Sequence, residues 1–402
     1  MLCARFGTAI SFLVTALEKI STLLDFLLTV LRLCGGRATR RAFLGNYLDN
    51  FIPLSSDDDL VNANNFFRIQ KIRVADIKLA SHGAFDIFEV YPQFGTKTIA
   101  LSRCLNDFAI HIGCIGKPEG EFDNSSGCYR IKLQRRDIEQ MQLSQAISLL
   151  PSGYLSPMII GCTADGLPLI IDQGSIPNTL IAGAPGSGKS TLLKVMIENF
   201  IASNVAVTII DPKMVDFAAF KDRDGCIVVS DLDDAPEVLD ELISEMNNVY
   251  VTLTKRNMVS VADNNKTLKP RIKPHVIIID EWANLMLHNK ENINKILILS
   301  QKGRAAGISI VLATQRPSSS ILPGKIKANF SGRIAMRVSS EMESRIILDS
   351  SHAAHISGPG LAYYLDQNHQ KPVYFRVAQN DLVEMVQKTK KTFWQNLKGL
   401  VF

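Results

Sequence analysis

The eight residues Gly183-Ala184-Pro185-Gly186-Ser187-Gly188-Lys189-Ser190 constrain this chain more than any other stretch. They lie between a short apolar strand, Asn178 to Ala182, and a segment from Thr191 to Phe200 with the apolar spacing of a helix. A strand, a glycine-rich turn carrying Lys and Ser, and a helix in that order make a Walker A loop. The glycines let successive backbone N–H groups turn toward the β- and γ-phosphates of a nucleotide. Lys189 supplies a point charge there, the Ser190 hydroxyl is placed to ligate Mg²⁺, and Thr191 continues the loop into its helix. A ligand-free glycine turn could share the composition, but the flanking strand and helix favour ATP with Mg²⁺.

From residue 158 onward, apolar strands alternate with helices. Val205 to Ile210, Val276 to Ile279 and Ile308 to Ala313 are uninterrupted apolar runs, and Pro236 to Lys255 reads as a long helix. Continuous apolar strands separated by helices predict an α/β domain with a mainly parallel sheet covered on both faces.

Two strands of this set end in polar residues suited to phosphate chemistry. Val276 to Ile279 runs into Asp280-Glu281, a Walker B pattern. Asp280 would hold the water shell of the Mg²⁺ near Ser190, and Glu281 would polarise the attacking water as general base. The same two acids would also suit the start of a helix. The next strand ends Ala313-Thr314-Gln315-Arg316-Pro317, where Gln315 can sense the γ-phosphate or belong to a turn set by Pro317.

The rest of the chain divides by composition into residues 1–41, 42–65, 66–157, 158–380 and 381–402. In the first, Phe6, Ile10, Leu13, Leu17, Ile20, Leu24, Leu27 and Leu31 recur at alternating spacings of four and three, opposite a polar stripe. That is an amphipathic helix, interrupted by Glu18, Lys19 and Asp25 and followed by Arg32, Arg37, Arg40 and Arg41. It fits the inner surface of a cell membrane, a neighbouring subunit or the body of the protein. Residues 42–65 read as a polar, acidic linker. Residues 66–157 mix alternating strands (Phe85 to Pro92, Tyr129 to Leu133) with helices (Leu105 to Ile112, Asp137 to Leu150), a small α+β domain. Residues 381–402 read as a helical tail. The seven cysteines form no CxxC pair and no zinc spacing, as in a reduced cytoplasmic chain.

A series of blocks now gives a resemblance. Besides the Walker motifs they are Asp211-Pro212-Lys213, Gln301 to Ile308, Leu312 to Pro317, Ile326 to Asn329, Arg333-Ile334-Ala335, Val338-Ser339-Ser340 and Ser344 to Asp349. Over about residues 80–380 the chain resembles the FtsK/SpoIIIE family of DNA-pumping ATPases. The resemblance implies a RecA-like P-loop NTPase core that forms a homo-oligomeric ring, typically a hexamer, around double-stranded DNA. It also implies an arginine given by a neighbouring subunit to the γ-phosphate. Arg333 matches the arginine that opens the family's strand after the Lys-Ala-Asn block; Arg304 and Arg345 are alternatives, and each also suits a surface ion pair. DNA contacts would go to phosphates. Lys255, Arg256, Lys266, Lys269, Arg271 and Lys273 crowd one loop, with Lys325 and Lys327 a second basic spot, and both could equally be solvated charge. The chain departs from the family's large members in showing no multi-pass membrane domain and no winged-helix domain. Gly358-Pro359-Gly360 stands where Gly-Met-Gly is usual. Some relatives move polypeptides, so a protein-secretion ATPase is the competing expectation.

Overall fold

The first described element is a helix, Asp57–Ile69. A computed structural model of the chain describes residues 57–382, apart from 83, 115–117, 135–137 and 214–215. The amphipathic segment 1–41 and the tail beyond 382 lie outside the described residues. The expected linker 42–65 is corrected from Asp57 on: helix Asp57–Ile69 buries Ala63, Phe66 and Phe67. It packs with helix Leu105–Ile112 over an antiparallel sheet of β1 (Val74–His82), β2 (Phe85–Pro92), β3 (Glu119–Asp123) and β4 (Cys128–Gln134), in the order β1-β2-β4-β3. Alternate residues of β2 are buried, so one face meets the helices, where Phe66, Phe67, Phe88 and Phe108 interlock.

The helix expected over 137–150 is confined, among the described residues, to Leu143–Ser148. Backbone groups at its start bond elsewhere: Gln379 N–H donates to Met141 O and Leu143 N–H to Gln379 O, each at 2.8 Å. The Leu143 N–H is thereby taken from the carbonyl four residues earlier that a helix continuing toward 137 would offer it.

The larger sheet has ten strands. They are β5 (Pro157–Thr163), β6 (Pro168–Asp172), β7 (Asn178–Ala182), β8 (Ala206–Ile210), β9 (Cys226–Val229), β10 (His275–Ile279), β11 (Ile308–Thr314), β12 (Gly332–Met336), β13 (Leu361–Leu365) and β14 (Val373–Val377). Their order is β6-β5-β14-β13-β12-β7-β11-β10-β8-β9. The stretch from β12 to β9 is parallel throughout, and β13, β14, β5 and β6 extend it antiparallel. Every residue of β7, β10 and β11 is buried, as a strand covered on both faces requires. The parallel strands β12-β7-β11-β10-β8 are the RecA-like P-loop arrangement, with the first strand of the motif at the switch between outward and return connections.

Register then decides what meets at the strand ends. Ala182 lies opposite both Thr314 and Ala335, and Ile279 opposite Leu312. The phosphate loop, the two acids after β10 and the polar end of β11 are therefore neighbours at the carboxyl edge. At the amino edge, the buried Asn178 amide donates to Ser300 O (2.8 Å) and Asn329 O (2.9 Å), tying the segments that enter β11 and β12 to the start of β7. Asn178→Ala leaves two carbonyls without these bonds and should lower stability by about 2 kcal/mol. Urea unfolding checks this: the midpoint should fall with little change in slope.

Candidate functional site

The phosphate loop is held in shape by backbone bonds to three neighbours. Gly183 N–H donates to Thr314 O, Ala184 N–H to Arg337 O (2.8 Å), and Gly360 N–H to Ser187 O (2.8 Å). Gly186 and Gly188 have φ of 74° and 103°, where an L side chain is strained. A Cβ on Gly188 would also come within 3.0 Å of Gly360 N. The turn Gly358-Pro359-Gly360 therefore lies directly on the loop. Helix Lys189–Ala202 starts at its end, so its unpaired N–H groups and positive dipole end face the same space. Pro185 and Gly186 at the crest and Thr191 on the helix are exposed.

Two charges are buried behind the loop. Lys189 Nζ donates to Asp280 Oδ1 at 2.6 Å and to Asp280 O at 2.7 Å. Lys189 is 5 % exposed and Asp280 fully buried, so each is the other's principal compensation. Asp280 Oδ2 is buried without a hydrogen-bond partner, and Lys213 Nζ stands 3.7 Å from it. A buried carboxylate oxygen without a hydrogen-bond partner, bound through its other oxygen to the lysine that precedes Ser190, offers with that hydroxyl a donor set that fits a hard cation. A cation held by Asp280 and Ser190 would take its remaining ligands from water and phosphate.

Glu281 also turns inward. Its Oε1 accepts the Thr314 hydroxyl at 2.8 Å, and the Gln315 N–H donates to its Oε2 at 3.2 Å. The carboxylate is thus oriented by the end of β11, although Glu281 and Thr314 are far apart in sequence. Gln315 is brought to this edge as expected, with its backbone N–H engaged by Glu281.

The other candidates lie elsewhere. Arg333 sits in β12, where it faces Leu180 across the ladder, and donates to Ile347 O and to Asp349 of its own chain. Lys327 binds the same carboxylate at 2.8 Å. Burial works to raise the Asp349 carboxyl, but these two cations outweigh it and hold it below the ordinary carboxylate value. Arg345 pairs with Glu341 within its helix, and Arg304 is exposed. The basic residues gather at the amino edge: residues 256–274 precede β10, and Lys325 and Lys327 precede β12. Val261 N–H donates to Ala305 O, which sets helix Val261–Thr267 beside Arg304. Lys255, Lys266, Lys269, Arg271, Lys273 and Lys325 are exposed. Arg256 instead donates to Asn264 Oδ1 (2.9 Å) and Pro270 O (3.0 Å), which fixes the loop.

Sequence reasoning missed Thr314 and Asp216; the Ser190 hydroxyl donates to Asp216 Oδ2 at 2.9 Å. Thr314 was legible only as the residue before Gln315. Asp216 follows the Asp211-Pro212-Lys213 block but has no motif of its own.

The FtsK/SpoIIIE family model matches residues 156–319. A protein named DNA translocase FtsK from Borreliella burgdorferi is 36 % identical over 251 residues, covering 58 % of this chain and 32 % of that protein. One named DNA translocase SftA from Bacillus subtilis is 32 % identical over 312 residues, covering 71 % of this chain and 32 % of that protein. The chain thus spans about a third of the length of these relatives. Among solved structures, the pCW3 conjugation coupling protein TcpA, in a monomer form with ATPγS, shares the fold with a TM-score of 0.58 at 18 % identity. The match covers 80 % of this chain and 95 % of that one.

The buried pair makes a prediction that is independent of activity. Lys189→Met strands the Asp280 carboxylate and should destabilise the protein by about 3 kcal/mol, while adding Asp280→Asn should recover most of the loss. Urea midpoints of the single and double variants test this. Equal loss in both would show that Lys189 contributes by packing alone.

Proposed function

We propose that this chain, whose residues 156–319 match the FtsK/SpoIIIE family model, is an ATP-driven double-stranded DNA translocase. One observation carries the reading. Lys189, Ser190, Asp280 and Glu281 converge at the carboxyl edge of a P-loop sheet, in a chain whose relatives bear the name DNA translocase. On binding ATP, Lys189 would leave Asp280 for the phosphates, joined by the N–H groups of the loop and helix. Ser190 and Asp280 would hold Mg²⁺, which when bound offsets charge on the phosphate oxygens. Glu281, steadied by Thr314 and Gln315, would accept the proton of the attacking water. Gln315 would sense the γ-phosphate.

The active form in this reading is a homo-oligomeric ring, a hexamer, in which Arg333 is given to a neighbour's nucleotide after release from Asp349. Duplex phosphates would meet the exposed lysines of the amino edge, so that chemistry and DNA lie at opposite ends of the same strands. No helix among the described residues is long and apolar enough to cross a membrane. We place the motor in the cytoplasm, with residues 1–41 as the candidate contact to the inner membrane face or to another subunit.

Glu281→Gln should retain ATP affinity and lose turnover by about 100-fold or more, because general-base catalysis is removed and the phosphate cradle is not. Nucleotide binding and phosphate release on the same preparation check this, and normal turnover would remove the assignment. Changing Lys255, Lys266, Lys269 and Lys325 to Gln should weaken duplex binding for all sequences alike. It should also flatten the dependence of log affinity on log salt by about 0.9 for each phosphate that is no longer neutralised. Arg256 is spared because its loss would unseat the loop. A wild-type ring that neither binds duplex nor turns over faster with it would instead favour the protein-secretion reading.

A further inference from the structure

The carboxylate of Asp216 faces the loop serine, yet nothing in the nucleotide motifs accounts for it. Its backbone is held close to the site by the buried Asp211. Asp211 Oδ1 accepts the Lys213 N–H at 3.0 Å and its Oδ2 accepts the Phe217 N–H at 3.4 Å, while the Phe217 ring is fully buried. Asp216 thus adjoins a residue whose N–H is tied back to Asp211, just beyond β8. Its Oδ2 accepts the Ser190 hydroxyl at 2.9 Å, and its Oδ1 lies 3.9 Å from Lys194 Nζ, one turn further along the same helix.

We propose that Asp216 is a positioning residue for the metal edge of the site, acting through Ser190. This rests on the nucleotide reading above. A serine hydroxyl has one proton and two lone pairs. With its proton committed to Asp216, the lone pairs of Ser190 Oγ are turned away from that carboxylate and left for a cation. A second, independent feature points to the same ligand: Asp280 Oδ2 is buried and has no hydrogen-bond partner. Asp216 also adds negative charge near the cation without ligating it, as carboxylates behind metal ligands do. Lys194 keeps that charge balanced on the solvent side.

The test uses the full chain and a fluorescent ATP analogue, titrated first in chelator and then across a Mg²⁺ series. In Asp216→Ala the Mg²⁺ concentration for half-maximal binding should rise about tenfold. In Asp216→Asn the rise should be smaller, since an amide oxygen still accepts the Ser190 hydroxyl. In chelator both variants should bind as tightly as wild type or more tightly, because a carboxylate near the phosphates has been removed. In a Ser190→Ala background, Asp216→Ala should add little, as two residues acting through one contact do not add. Weakening that is equal with and without Mg²⁺ would overturn the proposal and leave Asp216 as a loop anchor; so would an unchanged Mg²⁺ requirement, or full additivity with Ser190→Ala. A wild type that binds no nucleotide in either condition would overturn the nucleotide reading and this proposal with it.

Discussion

A lysine and an aspartate, both almost removed from solvent, join the phosphate loop to the strand that carries the acids. Lys189 caps Asp280 through both its carboxylate and its carbonyl, so the start of helix Lys189–Ala202 and the end of β10 are fixed together. Neither charge tolerates the loss of its partner at such burial. The loop's other bonds, to Thr314, Arg337 and Gly360, set its backbone around that pair. In the proposed function, phosphates reaching Lys189 would replace its contact with Asp280, and a cation would take its place on Asp280.

The sheet divides labour between its two edges. Parallel strands deliver all their carboxyl ends to one side, which is where the loop, Asp280, Glu281 and Gln315 meet. The connections that enter β10 and β12 must then lie on the other side, and they carry the exposed lysines. Asn178, at the amino end of the motif strand, ties those entries to the strand that ends in the phosphate loop. In the proposed function, a load on the basic edge and an event at the nucleotide would therefore act on the same few strands.

The parallel core, and the placing of the candidate residues at its strand ends, were legible from sequence because they depend on local patterns. Four apolar residues before Asp280-Glu281 make a buried strand in nearly any context, and the glycines at 186 and 188 declare their own backbone conformation. Less legible were features decided by tertiary pairing. The antiparallel extension through β13, β14, β5 and β6 depends on distant strands meeting, and the bonds of Met141 and Leu143 to Gln379 shorten a helix that its own residues would support. The linker expectation gives way at Asp57 because Ala63, Phe66 and Phe67, spaced at three and one along a helix, are buried by packing that composition does not reveal. Asp216 and Thr314 are invisible to motif reasoning, since a hydrogen bond across 26 or 33 residues leaves no trace in spacing.

Translocation is measured as movement on DNA, read as release of a third strand from a triplex placed on a linear duplex. Wild type should displace that strand in the presence of ATP and Mg²⁺, at a rate that falls as the triplex is moved farther along the duplex. It should release none with a non-hydrolysable ATP analogue. Third-strand release that ignores ATP, or none at all from rings that bind duplex and hydrolyse ATP, would contradict translocation.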